Sequence, residues 1–560
     1  MTRPDPALFP TKRAERAKTA LCLALLALAA LLVTLPFAGG TLPHGSDLGY
    51  HARRIENIAI GLANRQFPVR IQSDWVGGAG YATGVFYGDL FLYFPAVLRL
   101  LGVPITAAYG AYLALCNLLT AWGFYGCTRR LGAGRTAAVC GGVLYTLSAY
   151  RICDLTDRAA LGEFTALAFL PLVACGFWLT VQKARGGRTL LVVGLSGVLQ
   201  SHLLSFEMTV LLLAMAALPF LRRSFVRFAQ AAGVFCLLNA GYLVPLFDYY
   251  FTGKFQINQP AGTEPIQQNG AILGQLLGLP YTVAAGQQQD LVQNMALTPG
   301  PALLVGALAA AVVLASARKP ALWLAVGGAA ALWMSGNFFP WDALYQAAPR
   351  VVGSLQFPWR FLGPATLLLA LAVTAGVDTV RRHQKGRAAA CCAAAVLCAV
   401  SFCCARNQQN DYLARAQRYD WVCGTEEPYW EQGCGHYLPA GNGPTVLSQL
   451  PAGPVWSDGV TLENYAKTGT TVTLDATSGT DGGWVRLPLL WYKGYRVTQG
   501  AGTVACGPNN VVLLELPPSW AGTVTVAFAE PWYWRLAELV SLAALAGGAA
   551  LLHRRRKTRP

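Results

Sequence analysis

The sequence predicts a polytopic α-helical membrane protein of about twelve spans, with a C-terminal extracytoplasmic β-sandwich-like domain and a final transmembrane helix. Three observations predict it. Apolar residues make up 54% of the 560 and charged residues only 12%, roughly half the charged share of an ordinary soluble chain. Mean hydropathy is +0.40. Lys and Arg gather in short clusters between the apolar runs, and one long segment near the C-terminus changes from apolar runs to alternating, strand-like ones.

The formal charge of +16 is a topological signal. The clusters are Lys12–Lys18, Arg129–Arg135, Lys183–Arg188, Arg222–Arg227, Arg318–Lys319, Arg381–Arg387 and Arg554–Arg559. With Arg3 they hold 25 of the 43 basic residues, accompanied only by Asp5, Glu15 and Asp378. That asymmetry marks cytoplasmic loops. No basic patch interleaves with aromatics in a soluble segment, so nucleic acid is not an expected partner. A composition this apolar also excludes disorder and a small disulfide scaffold.

The elements follow in order. Residues 1–18 form a basic cytoplasmic N-terminus, and residues 19–38 an uncleaved first span, longer than a signal-peptide core. Residues 41–104 form an external loop with interfacial helices; its apolar stretch 85–101 lies at the outer interface, because a crossing there would carry Arg129 and Arg130 outside. Spans are expected near 105–128, 136–150, 162–182, 228–247, 299–317, 320–338, 360–380 and 388–405. Basic flanks on both sides make residues 189–221 cross an even number of times, as two short helices with Gln200, Ser201, His202 and Ser205 at the outer turn. The membrane domain therefore covers 19–405. Residues 406–532 form the external β-rich domain, with strands at 470–474, 511–516 and 523–528. Residues 533–552 are the last transmembrane helix and 553–560 a basic cytoplasmic tail.

Cysteines in the apolar segments, such as Cys391, Cys392 and Cys398, read as small hydrophobes. Cys423, Cys434 and Cys506 lie in the external domain, where a Cys423–Cys434 disulfide is plausible. No HExxH, paired CxxC, Walker A or GxGxxG motif occurs, so no cofactor is expected and a divalent metal finds no motif to hold it.

Chemistry concentrates in four places. Directly after the first span stands His44-Gly45-Ser46-Asp47, followed by a helix carrying His51, Arg53 and Arg54. Asp47 reads either as the N-cap of that amphipathic helix or as a carboxylate at the membrane boundary that takes a proton from an acceptor hydroxyl. The same loop continues into Gly77-Gly78-Ala79-Gly80, either a plain loop or a phosphate cradle. Between the third and fourth spans, Asp154, Asp157, Arg158 and Glu163 fall within ten residues. They form either an ion-pair cluster tying two spans together or a second acidic site. Arg360, in Gln356-Phe357-Pro358-Trp359-Arg360-Phe361, suits a lipid phosphate, since guanidinium pairs with phosphate bidentately.

These residues, with Tyr87–Pro95, Asp157-Arg158-Ala159-Ala160-Leu161-Gly162-Glu163 and Ser201-His202-Leu203, resemble the bacterial "6-pyruvoyl-tetrahydropterin synthase-related" membrane proteins of YfhO-like type. Those in turn resemble GT-C glycosyltransferases. The resemblance covers nearly the whole chain, and order and topology carry it rather than one motif. It implies a GT-C-like membrane domain that takes a sugar from a polyprenyl-phosphate donor and passes it to a cell-envelope glycan or lipid acceptor on the outer face of the bacterial membrane. Asp47 matches the family's first-loop catalytic acid, and Asp154 or Asp157 a second acidic position. His44, His51, Arg158, Glu163 and Arg360 are the expected substrate ligands. Many GT-C enzymes pair two acids in the first loop, whereas Ser46 and Leu48 flank Asp47 here. The pterin activity in the family label finds no His triad among six scattered histidines.

Two other classes compete with sugar transfer. A transporter or flippase of lipid-linked sugars is disfavoured because the ionisable residues cluster at the outer boundary, with Glu207 the main exception. A non-catalytic glycan-binding membrane protein would use β-domain aromatics such as Trp484, Trp491, Tyr492 and Tyr495.

Overall fold

The computed structural model describes residues 12–258, 266–279, 295–419 and 435–557. The chain forms two compact units, each built from separated segments. One comprises Met1–Leu48, Tyr109–Ala231 and Thr263–Trp421, the other Gly49–Ala108, Ala232–Gly262 and Val422–Pro560. The sequence reading divides the chain differently, at residue 405. Residues 49–108 group with the β-rich region and the last helix.

Six helices among the described residues are long and apolar enough to cross a membrane: Ile105–Arg130, Leu161–Val181, Leu203–Leu238, Pro358–Arg382, Gln384–Arg415 and Trp532–Leu551. Shorter apolar helices occupy Gly187–Leu199, Pro301–Ser316 and Leu322–Met334. In the first unit the opening helix Lys12–Leu32 packs Leu26 and Ala30 against Ala121, Tyr125, Ala138 and Val143. Leu161–Val181 and Gly187–Leu199 approach backbone to backbone. A Cβ at Gly194 would lie 2.7 Å from the Val173 nitrogen, and one at Gly197 would run into the Phe169 ring. Small residues at such a crossing are what apolar helices use to gain contact in lipid. Residues 200–202 form the turn that joins this helix to Leu203–Ala217, and Ser205, expected in the turn, lies in the first turn of that helix.

The last helix of the first unit is longer than its apolar run. It spans Arg387–Arg415, ten residues beyond position 405. Tertiary bonds explain the extension: Gln409 Nε2 donates to the Val33 carbonyl at 2.5 Å and Tyr412 Oη to that of His44 at 2.6 Å. A two-residue ladder follows, β1 (Leu42–Pro43) against β2 (Arg418–Tyr419).

The second unit contains two four-stranded antiparallel sheets. Its strands are β3 (Val455–Trp456), β4 (Thr461–Thr468), β5 (Thr471–Thr477), β6 (Gly483–Leu490), β7 (Tyr495–Gln499), β8 (Thr503–Cys506), β9 (Val511–Leu516) and β10 (Ala521–Phe528). Their orders are β4-β5-β10-β7 and β3-β6-β9-β8. Burial alternates along β5, where Val472, Leu474 and Ala476 are buried between accessible neighbours, as a sheet with one covered face requires. Tyr492 and Tyr495 are buried. The 85–101 stretch is broken into helices at Thr83–Phe86, Leu90–Leu92 and Tyr93–Leu100. Cys423 and Cys434 lie outside the described residues; Cys506 carries a free thiol.

Candidate active site

The site of the first unit is built where two helices meet at a tight turn. Ala149–Leu155 ends because Thr156 leaves the helical region at φ −106°, ψ −94°, while its hydroxyl donates back to the Ile152 carbonyl at 2.6 Å. Ala159 takes a left-handed φ of 48°, and Leu161–Val181 starts two residues later with Glu163 in its first turn.

Arg158 is the node. Its Nη1 donates to Tyr150 Oη at 3.1 Å, to Glu163 Oε2 at 2.9 Å and to Asp154 Oδ1. Tyr150 Oη in turn donates to Glu163 Oε1 at 2.5 Å. Arg360, carried by the turn Pro358–Phe361, brings Nε to 3.6 Å from Glu163 Oε2, and its Nη1 is fixed by the Leu355 carbonyl and Gln356 Oε1 at 3.0 Å each. Asp154 and Glu163 are 1% and 2% exposed. Burying charges is tolerable only when they are paired and hydrogen-bonded, as here. Nearby, Arg151 donates to Asn117 Oδ1 at 3.1 Å and stacks its guanidinium 4.6 Å from the Phe164 ring centre.

The His44–Asp47 loop is clamped onto this turn by its backbone. Ser46 N donates to the Asp157 carbonyl at 3.0 Å and Asp47 N to that of Arg158 at 2.8 Å. The approach requires glycine at position 45: a Cβ there would collide with the Thr156 carbonyl and sit 2.6 Å from the Ala159 Cβ. Tyr412 holds the His44 carbonyl, and Arg415 pairs with Asp157 at 2.5 Å.

Two groups stay disengaged. Asp47 stands directly before the helix Leu48–Ala63, yet its side chain caps nothing. No described residue hydrogen-bonds or ion-pairs with its carboxylate. Arg158 makes every side-chain hydrogen bond from Nη1, so its Nε and Nη2 donate to no described residue. Water reaches Asp47, although protein atoms crowd around it. The crowding raises its pKa above the ordinary Asp value, against the pull of Arg158 and Arg360 and with help from Glu163.

Of the sequence-predicted residues, the first unit therefore gathers Asp47, Asp154, Arg158, Glu163 and Arg360. Asp157 adjoins them, but its carboxylate is taken by Arg415 and by the Thr156 hydroxyl at 3.0 Å. His44 enters through its backbone. His51 belongs to the second unit, buried beside Arg54 at 3.2 Å and edge-on to Tyr50 and Tyr87. The carbonyls of the glycine-rich loop face the β-rich region. Lys467 Nζ donates to the Gly78 carbonyl, Leu490 N to that of Ala79 and Tyr492 Oη to that of Gly80, so the loop spends its carbonyls holding the β-rich region. Sequence reasoning missed Tyr150, Gly45 and Tyr412. Tyr150 had a signal: it precedes Asp154 by four residues, one helical turn, as Asp154 precedes Arg158. Among the described residues no group of three His, Cys, Asp or Glu side chains is arranged to hold a metal.

Fold and site define a polytopic membrane protein with a buried charged cluster at its helix ends and one carboxylate left open beside it. The chain belongs to the 6-pyruvoyl-tetrahydropterin synthase-related family of membrane proteins, whose domain matches residues 85–410. A 177-residue stretch, 31% of the chain, is 24% identical to an uncharacterized protein of Lactococcus lactis subsp. cremoris (strain MG1363) and spans 29% of that protein's length. Two cryo-EM structures of the mycobacterial arabinofuranosyltransferase AftD, one of them a mutant, align with TM-scores of 0.47 and 0.44 at 16% and 17% identity. The alignments cover 91% of this chain and 40% and 41% of theirs.

Proposed function

We propose that this membrane protein is a GT-C-type glycosyltransferase that moves a sugar from a polyprenyl-phosphate donor to a cell-envelope glycan or lipid acceptor on the outer face of the membrane. The reading rests on one observation: an unengaged carboxylate, Asp47, is held by its own backbone against the residue whose guanidinium keeps two nitrogens unengaged, Arg158. A carboxylate that neither caps a helix nor closes an ion pair is available to move a proton.

In this reading Asp47 takes the proton of the acceptor hydroxyl. The hydroxyl oxygen bonds to the anomeric carbon as that carbon's bond to the phosphate oxygen breaks, and the electron pair leaves with the polyprenyl phosphate. Arg158, through Nε and Nη2, and Arg360 stabilise the leaving phosphate, the kind of fixed charge that supplies a large share of catalysis in a water-poor site. Asp154, Glu163 and Tyr150 position Arg158. Apart from Asp47, the cluster sets Arg151, Arg158 and Arg360 against Asp154 and Glu163. The same reading keeps twelve crossings, both termini in the cytoplasm and the β-rich domain outside.

The test is transfer by the purified full chain in proteoliposomes, supplied with a fluorescent polyprenyl-phosphoryl sugar and envelope glycan. Release of polyprenyl phosphate with labelling of the glycan is expected. Movement of the donor across the bilayer without transfer would instead make the protein a flippase.

A further inference from the structure

Arg151 lies in the first unit on the helix Ala149–Leu155, 1% exposed, and takes no part in the transfer chemistry. Its Nη2 donates to Asn117 Oδ1 at 3.1 Å, but its Nε and Nη1 are buried and donate to no described residue. No carboxylate among the described residues comes within 4.0 Å of its nitrogens. Asp154, one turn along the same helix, gives its Oδ1 to Arg158 instead. The rings of Phe164 and Tyr145 lie with their centres 4.6 and 5.7 Å from the guanidinium carbon. A ring covers the flat side of a guanidinium, whereas the N–H groups project in its plane. Asn117 repeats the pattern. It is buried and accepts through Oδ1, while its Nδ2 donates to no described residue.

The three nitrogens left over are all donors, and they belong to two side chains already in contact. A buried cation without a counter-charge, its N–H groups unsatisfied, is strongly unfavourable. A water molecule would accept from some of these donors and find an acceptor for its own proton in the unpartnered Asp154 Oδ2, but it would leave the charge of Arg151 uncompensated. A halide accepts hydrogen bonds from every side, has no proton to place and cancels the charge. We infer that Arg151 and Asn117 form a buried site for a small monovalent anion, chloride or its equivalent. Burial this deep suits a single atom rather than a phosphate. The anion ties the helix that carries Arg151, Tyr150 and Asp154 to Ile105–Arg130, which carries Asn117. The site stands whether or not the protein transfers a sugar.

The probe is chloride, exchanged for gluconate at constant ionic strength, and the readout is thermal melting of the purified full chain in detergent. The parent's melting temperature should rise by about 2 °C for each tenfold increase in chloride above its Kd, and bromide should replace chloride. Asn117→Asp supplies the counter-charge from the chain itself. It should melt higher than the parent in gluconate and gain nothing further from chloride. Arg151→Met removes the cation and should also lose the chloride dependence; if it fails to fold, Asn117→Asp decides. A parent whose melting ignores chloride, as a hydrated site requires, overturns the assignment. So does chloride dependence that survives in Asn117→Asp, or an Asn117→Asp protein that melts below the parent in gluconate.

Discussion

Each unit buries a cluster of charges, and the two clusters are finished differently. In the second unit Arg70 spends Nε on Glu530 at 2.8 Å and Nη2 on Glu538 at 2.7 Å and the Gly241 carbonyl at 2.8 Å. Asp89 is likewise filled, one oxygen by Arg54 and the other by Gln72 at 3.3 Å. The Arg70 pairs tie residues 49–108 to the last helix and the residues before it, and each of these carboxylates has a cation. The first unit builds an equally buried node on Arg158, then sets Asp47 beside it and leaves that carboxylate and two guanidinium nitrogens unused. Unused guanidinium nitrogens occur in both clusters, since Arg70 Nη1 and Arg54 Nε also donate to no described residue; the difference lies in the carboxylate without a cation.

The contrast can be broken most forcefully at Arg70. Arg70→Gln removes the buried cation of Glu530 and Glu538 and leaves them only the half-exposed Arg535, and should lower stability by about 3 kcal/mol. Chemical denaturation in detergent should detect that, and a loss below 1 kcal/mol would mean the node holds nothing together. At the open node, geometry should matter more than charge. Gly45→Ala pushes the His44–Asp47 loop off Thr156 and Ala159, and a displacement of about 1 Å at a catalytic group costs on the order of 100-fold in turnover. Unchanged kcat for Gly45→Ala would show that the clamp is not needed for chemistry.

The pH dependence sharpens the same point. Only ionised Asp47 can accept a proton, and crowding lifts its pKa above the ordinary Asp value despite Arg158 and Arg360. The acid limb of the rate profile should therefore fall at a higher pH than about 3.9, the value for a free Asp. A limb at or below that value would contradict the crowding. The smallest effect is expected at the exposed edge. Arg415 is half-exposed, so Arg415→Gln should cost no more than about 1 kcal/mol and change turnover only a few-fold, measured by melting and by initial rates.

Much of this was legible in the chain. Spans such as Leu161–Val181 announce themselves by an uninterrupted apolar run, and β5 by the period of Val472, Leu474 and Ala476. Asp154, Arg158 and Glu163 could be grouped because one turn spans them. What sequence could not decide was whether Asp47 caps a helix. That outcome is set by backbone bonds to the 157–158 turn, 111 positions away between Ser46 and Asp157. Nor could it reveal that the helix continues past residue 405, since its last turns are held by Val33 and His44, or that Arg70 finds its acids at Glu530 and Glu538. Local pattern reveals elements and short-range pairs; pairings made by folding belong to the tertiary structure.

One paired measurement tests the central claim: transfer rate and melting temperature of Asp47→Asn on the same preparation near neutral pH. A carboxylate whose pKa is raised by folding stabilises the folded state only below its unfolded pKa, and that contribution is lost as pH rises through the folded pKa. Near neutral pH the ionised Asp47 is thus a small cost to stability. Asp47→Asn should melt at the same temperature as the parent or slightly higher, while transfer falls by roughly 100- to 10,000-fold, the range for a lost general base. Full transfer by Asp47→Asn, or a lower melting temperature with transfer lost only in proportion to unfolding, would contradict the account.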